Sequence, residues 1–197
     1  MSAGVLRRFC VLLLGLLLAG CGLPKPGFKS SDITGSDCCR HFRLTDQNGK
    51  TRTLADFRGK AVVMFFGYTQ CPDVCPTTMA DLKSVMQQLG ADAQRVQVLF
   101  VTLDPERDTR ALLAQYVAAF DPSFLGLYGD AETTAKTAKE FRVFYQKQPG
   151  PTSDCYTLDH TAGSYVFDPQ GRVRLFVHYG DPGANLVADL RTLLRQG

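Results

Sequence analysis

The sequence predicts a single α/β domain with helices on both faces of a sheet. Two apolar runs of strand length, at residues 60–68 and 96–103, are each followed by apolar side chains at helical spacing. Closer to the C-terminus, residues 163–180 contain two apolar runs around a Pro-Gln-Gly turn, and a leucine-rich segment follows. Strands that alternate with helices, then an antiparallel pair and a closing helix, are typical of a three-layer α/β/α sandwich.

The first predicted element is a β-hairpin at residues 42–54. Its two strand-like runs flank Asn48-Gly49, which is the strongest short hairpin signal. Residues 60–68 form a near-continuous apolar run, as expected of a strand that is buried on both faces. The helix that follows is predicted from apolar side chains three or four positions apart: Met79, Leu82, Val85, Met86 and Leu89. The loop between this strand and this helix is where open α/β sheets place their ligands.

The second half of the chain continues the alternation. Residues 96–103 predict a second buried strand, and Asp108 is predicted to cap the helix that begins after it. Residues 130–141 have a weaker helical pattern. The hairpin at residues 163–180 leads into a closing helix with an apolar side formed by Leu186, Leu190, Leu193 and Leu194.

Residues 1–20 have the pattern of a signal peptide. Arg7 and Arg8 precede an apolar run that is too short to cross a membrane as a helix. The run ends in the tetrapeptide LAGC, which resembles a lipoprotein signal in which cleavage before Cys21 leaves that cysteine to carry lipid. The alternative is an uncleaved membrane anchor. Both interpretations predict a domain that is held at a membrane and faces the periplasm or another extracytoplasmic space.

The chain after the leader divides into a tether and one domain. Residues 21–40 are rich in Pro, Gly and Ser without apolar periodicity, so they are predicted to be a flexible tether. Residues 41–197 are predicted to form the domain.

Without the leader, 20 basic and 19 acidic residues give a net charge of +1. A surface so close to neutral gives no reason to expect a nucleic-acid partner.

The segment GYTQCPDVCPTT, at residues 67–78, contains the main chemical motif. Three residues separate Cys71 from Cys75, whereas redox pairs usually have two. The extra residue widens the loop, so that both sulfurs can point to one side and a third ligand can enter from elsewhere. Pro72 and Pro76 stiffen the loop by restricting their own backbone angles. Because the start of a helix stabilises negative charge, we expect this position to lower the pKa of both thiols.

Three further cysteines remain once the motif pair, the leader's Cys10 and the lipidated Cys21 are set aside: Cys38, Cys39 and Cys155. Thiols in an oxidising compartment tend to pair, so we predict a disulfide between Cys155 and either Cys38 or Cys39. One of the three thiols then stays unpaired. The alternative is that Cys155 stands near the motif as a third thiol.

Three segments resemble the signature sequences of the Sco (SenC) family of copper proteins: FFGYTQCPDVCPTTMADL, VTLDPERDT and DHTAGSYVFDPQGRV. The resemblance runs from about residue 42 to the C-terminus. It implies a thioredoxin-like fold and a role in delivering copper to the binuclear copper centre of cytochrome c oxidase. The family's metal-binding positions correspond to Cys71, Cys75 and His160. The implied partners are the copper-bearing subunit of the oxidase, a copper donor and a thiol reductant.

The residue types agree with a copper site. Two thiolates and an imidazole are soft ligands, which suit copper, as Cu(I) or Cu(II), better than magnesium or calcium. His160 lies just before a predicted strand, so it reaches the motif only if the fold brings its loop back. The carboxylates of Asp73 and Asp159, beside the expected ligands, and of Asp104 are candidates for holding or screening those ligands. The alternative for Asp73 and Asp159 is a solvated loop carboxylate.

The main alternative function is that of a thiol-disulfide oxidoreductase. Cys71 would then attack a substrate disulfide, and Cys75 would resolve the mixed disulfide by forming a Cys71–Cys75 disulfide. Thioredoxin-like reductases generally place a cis-proline before the hairpin strand, but residues 152–168 contain no proline and include His160. A histidine in place of that proline favours metal binding over an enzymatic function.

Three other interpretations are weaker. The motif cysteines can be read as a structural disulfide, although a junction of strand, loop and helix is a poor place for one. His160 can be read as a surface histidine. A peroxidase of the peroxiredoxin kind has a threonine three residues before its nucleophile, where this chain has Tyr68.

Overall fold

The computed structural model of the protein describes residues 27–151 and 155–196. The strands of this part are β1 (Ser31–Asp32), β2 (Leu44–Asp46), β3 (Thr51–Arg52), β4 (Ala61–Gly67), β5 (Val96–Thr102), β6 (Leu125–Tyr128), β7 (Tyr145–Pro149), β8 (Tyr156–His160), β9 (Gly163–Phe167) and β10 (Val173–His178). The α-helices are α1 (Val74–Leu89), α2 (Arg110–Phe120), α3 (Ala131–Glu140) and α4 (Gly183–Gln196). The main sheet has the strand order β1-β10-β9-β4-β5-β6-β2-β3, and β7 pairs with β8 in a separate sheet.

The helices lie on both faces of the main sheet. Phe65 of β4 packs against Phe100 of β5, which in turn contacts Tyr116 of α2. The next residue of β4, Phe66, packs against Phe141 at the end of α3. Because successive residues of a strand point to opposite faces, α3 lies on the face opposite to α2. With α1 beside α2 and packed against α4, the predicted three-layer α/β sandwich is confirmed.

The centre of the sheet is β4, as its apolar sequence predicts. All seven of its residues are buried, from Ala61 to Gly67. It pairs in parallel with β5 and antiparallel with β9, so both of its edges are occupied. A strand in this position has no side that faces water, which explains why the run is apolar throughout rather than alternating.

The predicted hairpins and helices are present, with one difference in their placement. β2 and β3 pair antiparallel around Asn48-Gly49, and β9 and β10 form the C-terminal hairpin. The first hairpin does not open the domain, because β1 precedes it. The two elements lie at opposite edges of the sheet, where β1 pairs with β10 and β2 pairs with β6.

The prediction of a flexible tether is wrong for residues 27–40. The backbone N–H groups of Lys29 and Ser30 donate to the buried carboxylate of Asp189 in α4, each at 2.8 Å. β1 then pairs with the otherwise open edge of β10, and the N–H of Cys39 donates to the carbonyl oxygen of Glu140 at 3.1 Å. These long-range partners are invisible in the local composition, which is why the segment reads as a linker.

The β7–β8 hairpin was not predicted. Most of its side chains are exposed or half-buried, so it has no apolar run that would identify two strands. The hairpin places His160 at the end of β8, whereas the sequence predicts it in a loop before a strand. Tyr145 of β7 pairs directly with His160 across this hairpin.

Residues 1–26 lie outside the described part of the chain. The predicted signal peptide, the lipidation site Cys21 and the first residues of the predicted tether therefore have no structural description. Among the helices that the structure does describe, none is both long and apolar enough to cross a membrane.

Replacing Asp189 tests how the N-terminal segment is held. Asp189→Ala removes the acceptor for two backbone donors, so we expect a loss of about 1 to 3 kcal/mol in the free energy of unfolding. We also expect faster hydrogen exchange at the amides of Lys29 and Ser30. Urea denaturation and exchange measured by mass spectrometry check both effects.

The matched control is Asp92→Ala. The Asp92 side chain is 42% exposed and lies 3.8 Å from Arg191, so its loss should change the unfolding free energy by less than about 0.5 kcal/mol. Equal effects of the two substitutions, or unchanged exchange at Lys29 and Ser30 in Asp189→Ala, would contradict the proposed anchoring.

Candidate metal centre

The two motif cysteines lie where the central strand passes into the first helix. β4 ends at Gly67, Cys71 lies in the following loop, and Cys75 is the second residue of α1. Cys75 is completely buried, whereas Cys71 is half-buried. The backbone N–H of Cys75 donates to the sulfur of Cys71 at 3.4 Å.

Gly67 makes room for the buried sulfur. A Cβ atom at this position would lie 2.7 Å from the Sγ of Cys75 and 3.0 Å from the ring of Phe65. A side chain here would therefore displace the sulfur or the aromatic packing beneath it. This role was not predicted from the sequence, where its one signal is a glycine at the end of a strand that otherwise consists of apolar residues.

His160 completes a compact set of three donor groups. One possible ligand atom from each of Cys71, Cys75 and His160 lies within 4.8 Å of the others. The Nε2 of His160 is 3.4 Å from the Sγ of Cys75. The predicted ligands are therefore brought together by the fold, although His160 comes from the separate β7–β8 sheet. Cys71 and His160 line an open cavity of about 410 Å³, and Cys75 lies buried behind them.

The histidine ring has a defined tautomer. Its Nδ1 is 3.0 Å from the carbonyl oxygen of Thr161, and because a carbonyl can only accept, Nδ1 carries the proton. Nε2 is then unprotonated and faces the sulfur of Cys75. Burial lowers the pKa of His160 and so favours this neutral form. The rings of Phe65 and Tyr68 make T-shaped contacts with the imidazole, and the centroid of each lies 6.1 Å from the imidazole centroid.

The expectation that the helix start lowers the pKa of both thiols is wrong for Cys75. Burial raises the pKa of this thiol strongly, because a thiolate at this position would lose its contact with water. The Cys75 thiol therefore keeps its proton, which it donates to the Nε2 of His160. A cation that binds both atoms would take the place of that proton.

Comparison with known proteins identifies the family. The family model described as SCO1/SenC matches residues 31–195. The chain belongs to the SCO1/SenC family. "Protein SCO2 homolog, mitochondrial" from Bos taurus is 44% identical over 140 residues, which are 70% of this chain and 52% of that protein. "Protein SCO1 homolog, mitochondrial" from Homo sapiens is 31% identical over 156 residues, which are 78% of this chain and 52% of that protein. The chain thus spans about half the length of these curated relatives.

Solved structures of the Sco family have the same fold. ScoI from Bradyrhizobium japonicum, solved with copper bound, is 42% identical with a TM-score of 0.71, over 77% of this chain and 96% of that one. The solution structure of apo Sco1 from Thermus thermophilus is 40% identical with a TM-score of 0.75, over 85% of this chain and 97% of that one. The predicted thioredoxin-like fold is thereby confirmed.

Asp108 has a different role in this Sco chain from the predicted one. The N-cap of α2 is Thr109, whose side chain accepts from the N–H of Leu112. Asp108 is buried, and its carboxylate accepts from the backbone N–H and the hydroxyl of Thr69, at 3.1 and 2.6 Å. It also accepts from the hydroxyl of Thr102 at 2.6 Å. Asp108 therefore ties the loop of Cys71 to the end of β5.

Asp104 holds the strand that carries His160 rather than a ligand itself. Its buried carboxylate accepts from the hydroxyl of Tyr156 in β8 at 2.7 Å and from the Nε of Arg107 at 2.5 Å. The guanidinium of Arg107 stacks 3.5 Å from the centre of the Tyr156 ring and donates to the Tyr156 carbonyl oxygen at 2.9 Å. This triad of Asp104, Arg107 and Tyr156 fastens the hairpin to the loop after β5.

Asp73 and Asp159 line the cavity, but their hydrogen bonds go elsewhere. Asp73 is exposed at the start of α1, where it accepts from the hydroxyl of Thr77 at 3.5 Å. Asp159 is exposed and accepts from the side chain of Gln148 at 2.7 Å. In the described parts of the chain, neither carboxylate hydrogen-bonds to Cys71, Cys75 or His160. Their exposure agrees with the alternative interpretation of solvated loop carboxylates, and a role in screening the ligands stays a prediction.

The predicted disulfide to Cys155 is absent from the structure. Cys155 is exposed just before β8, and its thiol is free, as are those of Cys38 and Cys39. Cys38 and Cys39 are buried against each other near the end of α3, with their sulfurs 2.8 Å apart. The alternative also fails, because Cys155 is not among the residues grouped with the motif.

Removing the Tyr156 hydroxyl tests the triad. Tyr156→Phe keeps the ring over Arg107 but deletes the donor to buried Asp104, so we expect a loss of about 1 to 2 kcal/mol in the free energy of unfolding. Hydrogen exchange should accelerate mainly in β7 and β8. Tyr179→Phe is the matched control, because that side chain is 45% exposed. Unchanged exchange in β8 of Tyr156→Phe would show that the triad does not hold the hairpin.

Proposed function

We propose that this protein is a copper chaperone that binds copper through Cys71, Cys75 and His160 and delivers it to the binuclear copper centre of cytochrome c oxidase. The observation that carries the proposal is the convergence of two sulfurs and one imidazole nitrogen within 4.8 Å at the mouth of an open cavity. Copper is the cargo of this site rather than a permanent cofactor.

The chemistry of the donors supports copper over other metals. Calcium and magnesium prefer oxygen ligands, whereas thiolates and imidazole suit copper. A trigonal set of two thiolates and one imidazole also leaves space for a further ligand on the open side. Sco proteins from Bradyrhizobium japonicum and yeast have been solved with copper bound, which supports the same cargo here.

The exposure of the three ligands supports transfer rather than storage. Cys75 is buried in the core, while Cys71 and His160 line the cavity. A partner that supplies its own thiolates would therefore displace Cys71 or His160 first and Cys75 last. The proton that Cys75 lost on loading returns to this sulfur when the metal leaves, so transfer restores the buried neutral thiol.

The proposed partners follow from this cycle. A copper donor loads the site, and the copper-bearing subunit of the oxidase receives the metal. Because a Cys71–Cys75 disulfide cannot bind copper, a thiol reductant must keep the pair reduced. We place the protein at the extracytoplasmic side of a bacterial membrane, with residues 1–20 as a lipoprotein signal and Cys21 as the lipid carrier. Several curated relatives are described as mitochondrial.

A second function, thiol-disulfide exchange, is favoured by one specific observation. The N–H of Cys75 donates to the sulfur of the more exposed Cys71, which is the geometry of an attacking thiol with a buried resolving thiol behind it. Such activity could reduce the cysteines of the oxidase copper site before the metal is delivered. It would be accessory to copper binding, because the same two sulfurs serve both reactions.

Replacing the histidine separates these functions. His160→Ala should weaken copper binding by about 10- to 100-fold or more, since even the loss of groups that orient ligands has effects of that size. It should also change the thiolate-to-Cu(II) charge-transfer absorption, because the two sulfurs remain but the third ligand is lost. The measurement is a competition titration of reduced protein against a copper chelator, with absorption spectra.

His41→Ala is the matched control because His41 is exposed and is not part of the cluster. It should bind copper like the wild type. Equal affinities and spectra for wild type and His160→Ala would remove His160 from the ligand set. Weak copper binding by the wild type, together with efficient reduction of a test disulfide, would favour the oxidoreductase instead.

The proposed anchor can be tested separately. If Cys21 carries lipid, Cys21→Ser blocks cleavage, and the chain keeps its 20-residue leader and incorporates no labelled fatty acid. Gel mobility and metabolic labelling in the producing bacterium measure this. Identical mobility of mutant and wild type, without label in either, would favour an uncleaved anchor.

A further inference from the structure

Two adjacent cysteines outside the metal centre have their sulfurs in contact. The Sγ atoms of Cys38 and Cys39 are 2.8 Å apart. The pair lies on the far side of the sheet from Cys75, because the N–H of Cys39 donates to Glu140 at the end of α3. It therefore does not belong to the proposed copper site.

The backbone of the pair brings both sulfurs to the same side. Successive side chains of an extended chain point in opposite directions. Here Cys39 has a φ of +64°, a left-handed conformation that residues other than glycine seldom adopt. Glu140 holds Cys39 in this conformation through two hydrogen bonds. The N–H of Cys39 donates to the carbonyl oxygen of Glu140 at 3.1 Å, and the N–H of Arg40 donates to the Glu140 carboxylate at 2.8 Å. This left-handed conformation brings the thiols of Cys38 and Cys39 into contact.

The surroundings differ for the two residues. Cys39 is 1% exposed and Cys38 is 8% exposed, so an approaching reagent meets Cys38 first. Burial strongly raises the pKa of the Cys39 thiol, which favours its protonated form. The hydroxyl of Ser36 lies 3.2 Å from the sulfur of Cys38 and gives that sulfur a polar neighbour.

Open cavities adjoin both residues. Cys38 lines a cavity of about 310 Å³ whose charged residues are Asp37, Lys136, Lys139, Glu140 and Arg142. Cys39 lines one of about 770 Å³ whose charged residues are Arg40, Arg172 and Arg174. Ion pairs neutralise most of these cations, since Arg142 pairs with Asp37, Lys136 with Glu132, and both Arg172 and Arg174 with Asp168. Lys139 beside Cys38 and Arg40 beside Cys39 have no ion pair in the described part of the chain, and these two cations suit a small disulfide that carries carboxylates, such as oxidised glutathione.

We propose that Cys38 and Cys39 form a second redox-active pair, which interconverts between a dithiol and a disulfide by exchange with small acidic disulfides. In the first step, Cys38 attacks one sulfur of the small disulfide, whose S–S bond breaks and releases one thiol. In the second step, Cys39 attacks Cys38 and releases the other thiol. The two protons of the cysteines leave with the released thiols, so two thiols are oxidised and one disulfide is reduced.

Oxidation of this pair would affect the N-terminal segment rather than the metal ligands. The ring that a disulfide closes between neighbouring residues includes the peptide bond between Cys38 and Cys39, so it restrains the turn that docks the end of the N-terminal segment against α3. The dithiol leaves Cys39 and Arg40 held by their hydrogen bonds to Glu140. The redox state of the pair would therefore change how firmly this end of the segment is attached, while Asp189 and β10 hold the part before it.

Tryptic peptides allow this pair to be followed by itself in the full chain. Residues 30–40 contain Cys38 and Cys39, residues 61–83 contain Cys71 and Cys75, and residues 148–172 contain Cys155. The protein is equilibrated with mixtures of reduced and oxidised glutathione, quenched with acid, alkylated with N-ethylmaleimide and digested. Mass spectrometry then measures the alkylation of each peptide.

The expected result is a cooperative loss of both labels from peptide 30–40 as the glutathione becomes more oxidised, with the mass of an internal disulfide. Two results would overturn the proposal. One is retention of both labels under conditions that oxidise Cys71 and Cys75. The other is a cross-link between peptides 30–40 and 148–172, which would support the pairing of Cys155 with this pair.

Single substitutions test the order of the two steps. In Cys39→Ser, Cys38 should accumulate as a mixed disulfide with glutathione, because nothing resolves it. In Cys38→Ser, the deeper Cys39 should stay unmodified. Cys155→Ser is the matched control and should leave the oxidation of the pair unchanged. Faster modification of Cys39 than of Cys38 in these variants would contradict the proposed sequence of attack.

Discussion

The burial of one sulfur atom is the constraint on which the rest of the metal centre depends. Cys75 is fully enclosed at the junction of β4 and α1, and it fits there only because Gly67 has no side chain. In this position a thiolate without a partner is unfavourable, so the sulfur carries a proton, a metal or a second sulfur. The site thus has discrete states, and each change of state moves a proton together with the metal or the electrons.

The third candidate ligand is held by a hairpin beside the main sheet. His160 ends β8, and β7 and β8 pair only with each other in the described chain. Two residues, Thr161 and Ala162, connect β8 to β9 of the main sheet, and the triad of Asp104, Arg107 and Tyr156 fastens the hairpin to the turn after β5. Asp108, from the same turn, holds the loop of Cys71. Residues 104–108 therefore contact both the loop of Cys71 and the hairpin that carries His160.

The N-terminal segment adds a second thiol pair to the domain, on the opposite face of the sheet from Cys75 and chemically distinct from the motif pair. Cys71 lies in the loop after β4 and Cys75 in the first turn of α1, and both sulfurs lie close to His160. Cys38 and Cys39 are adjacent, have no histidine in contact and depend on a left-handed residue to meet. Pairs of cysteines thus serve two roles in our proposals, which are metal binding at the first pair and control of the docked segment at the second.

The sequence by itself determined the layer order, the buried strand β4, both hairpins around Asn48-Gly49 and Gly171, and the identity of the three candidate ligands. These features depend on local apolar patterns, turn residues and motif spacing, or on a resemblance that covers them. Only the tertiary structure decided the docking of residues 27–40, the placement of His160 on a separate hairpin, the roles of Asp104 and Asp108, and the raised pKa of Cys75. Each of these depends on partners far away in the chain or on exclusion from water. Contacts with distant residues, and the exclusion of water from one atom, do not appear as a local pattern in the sequence.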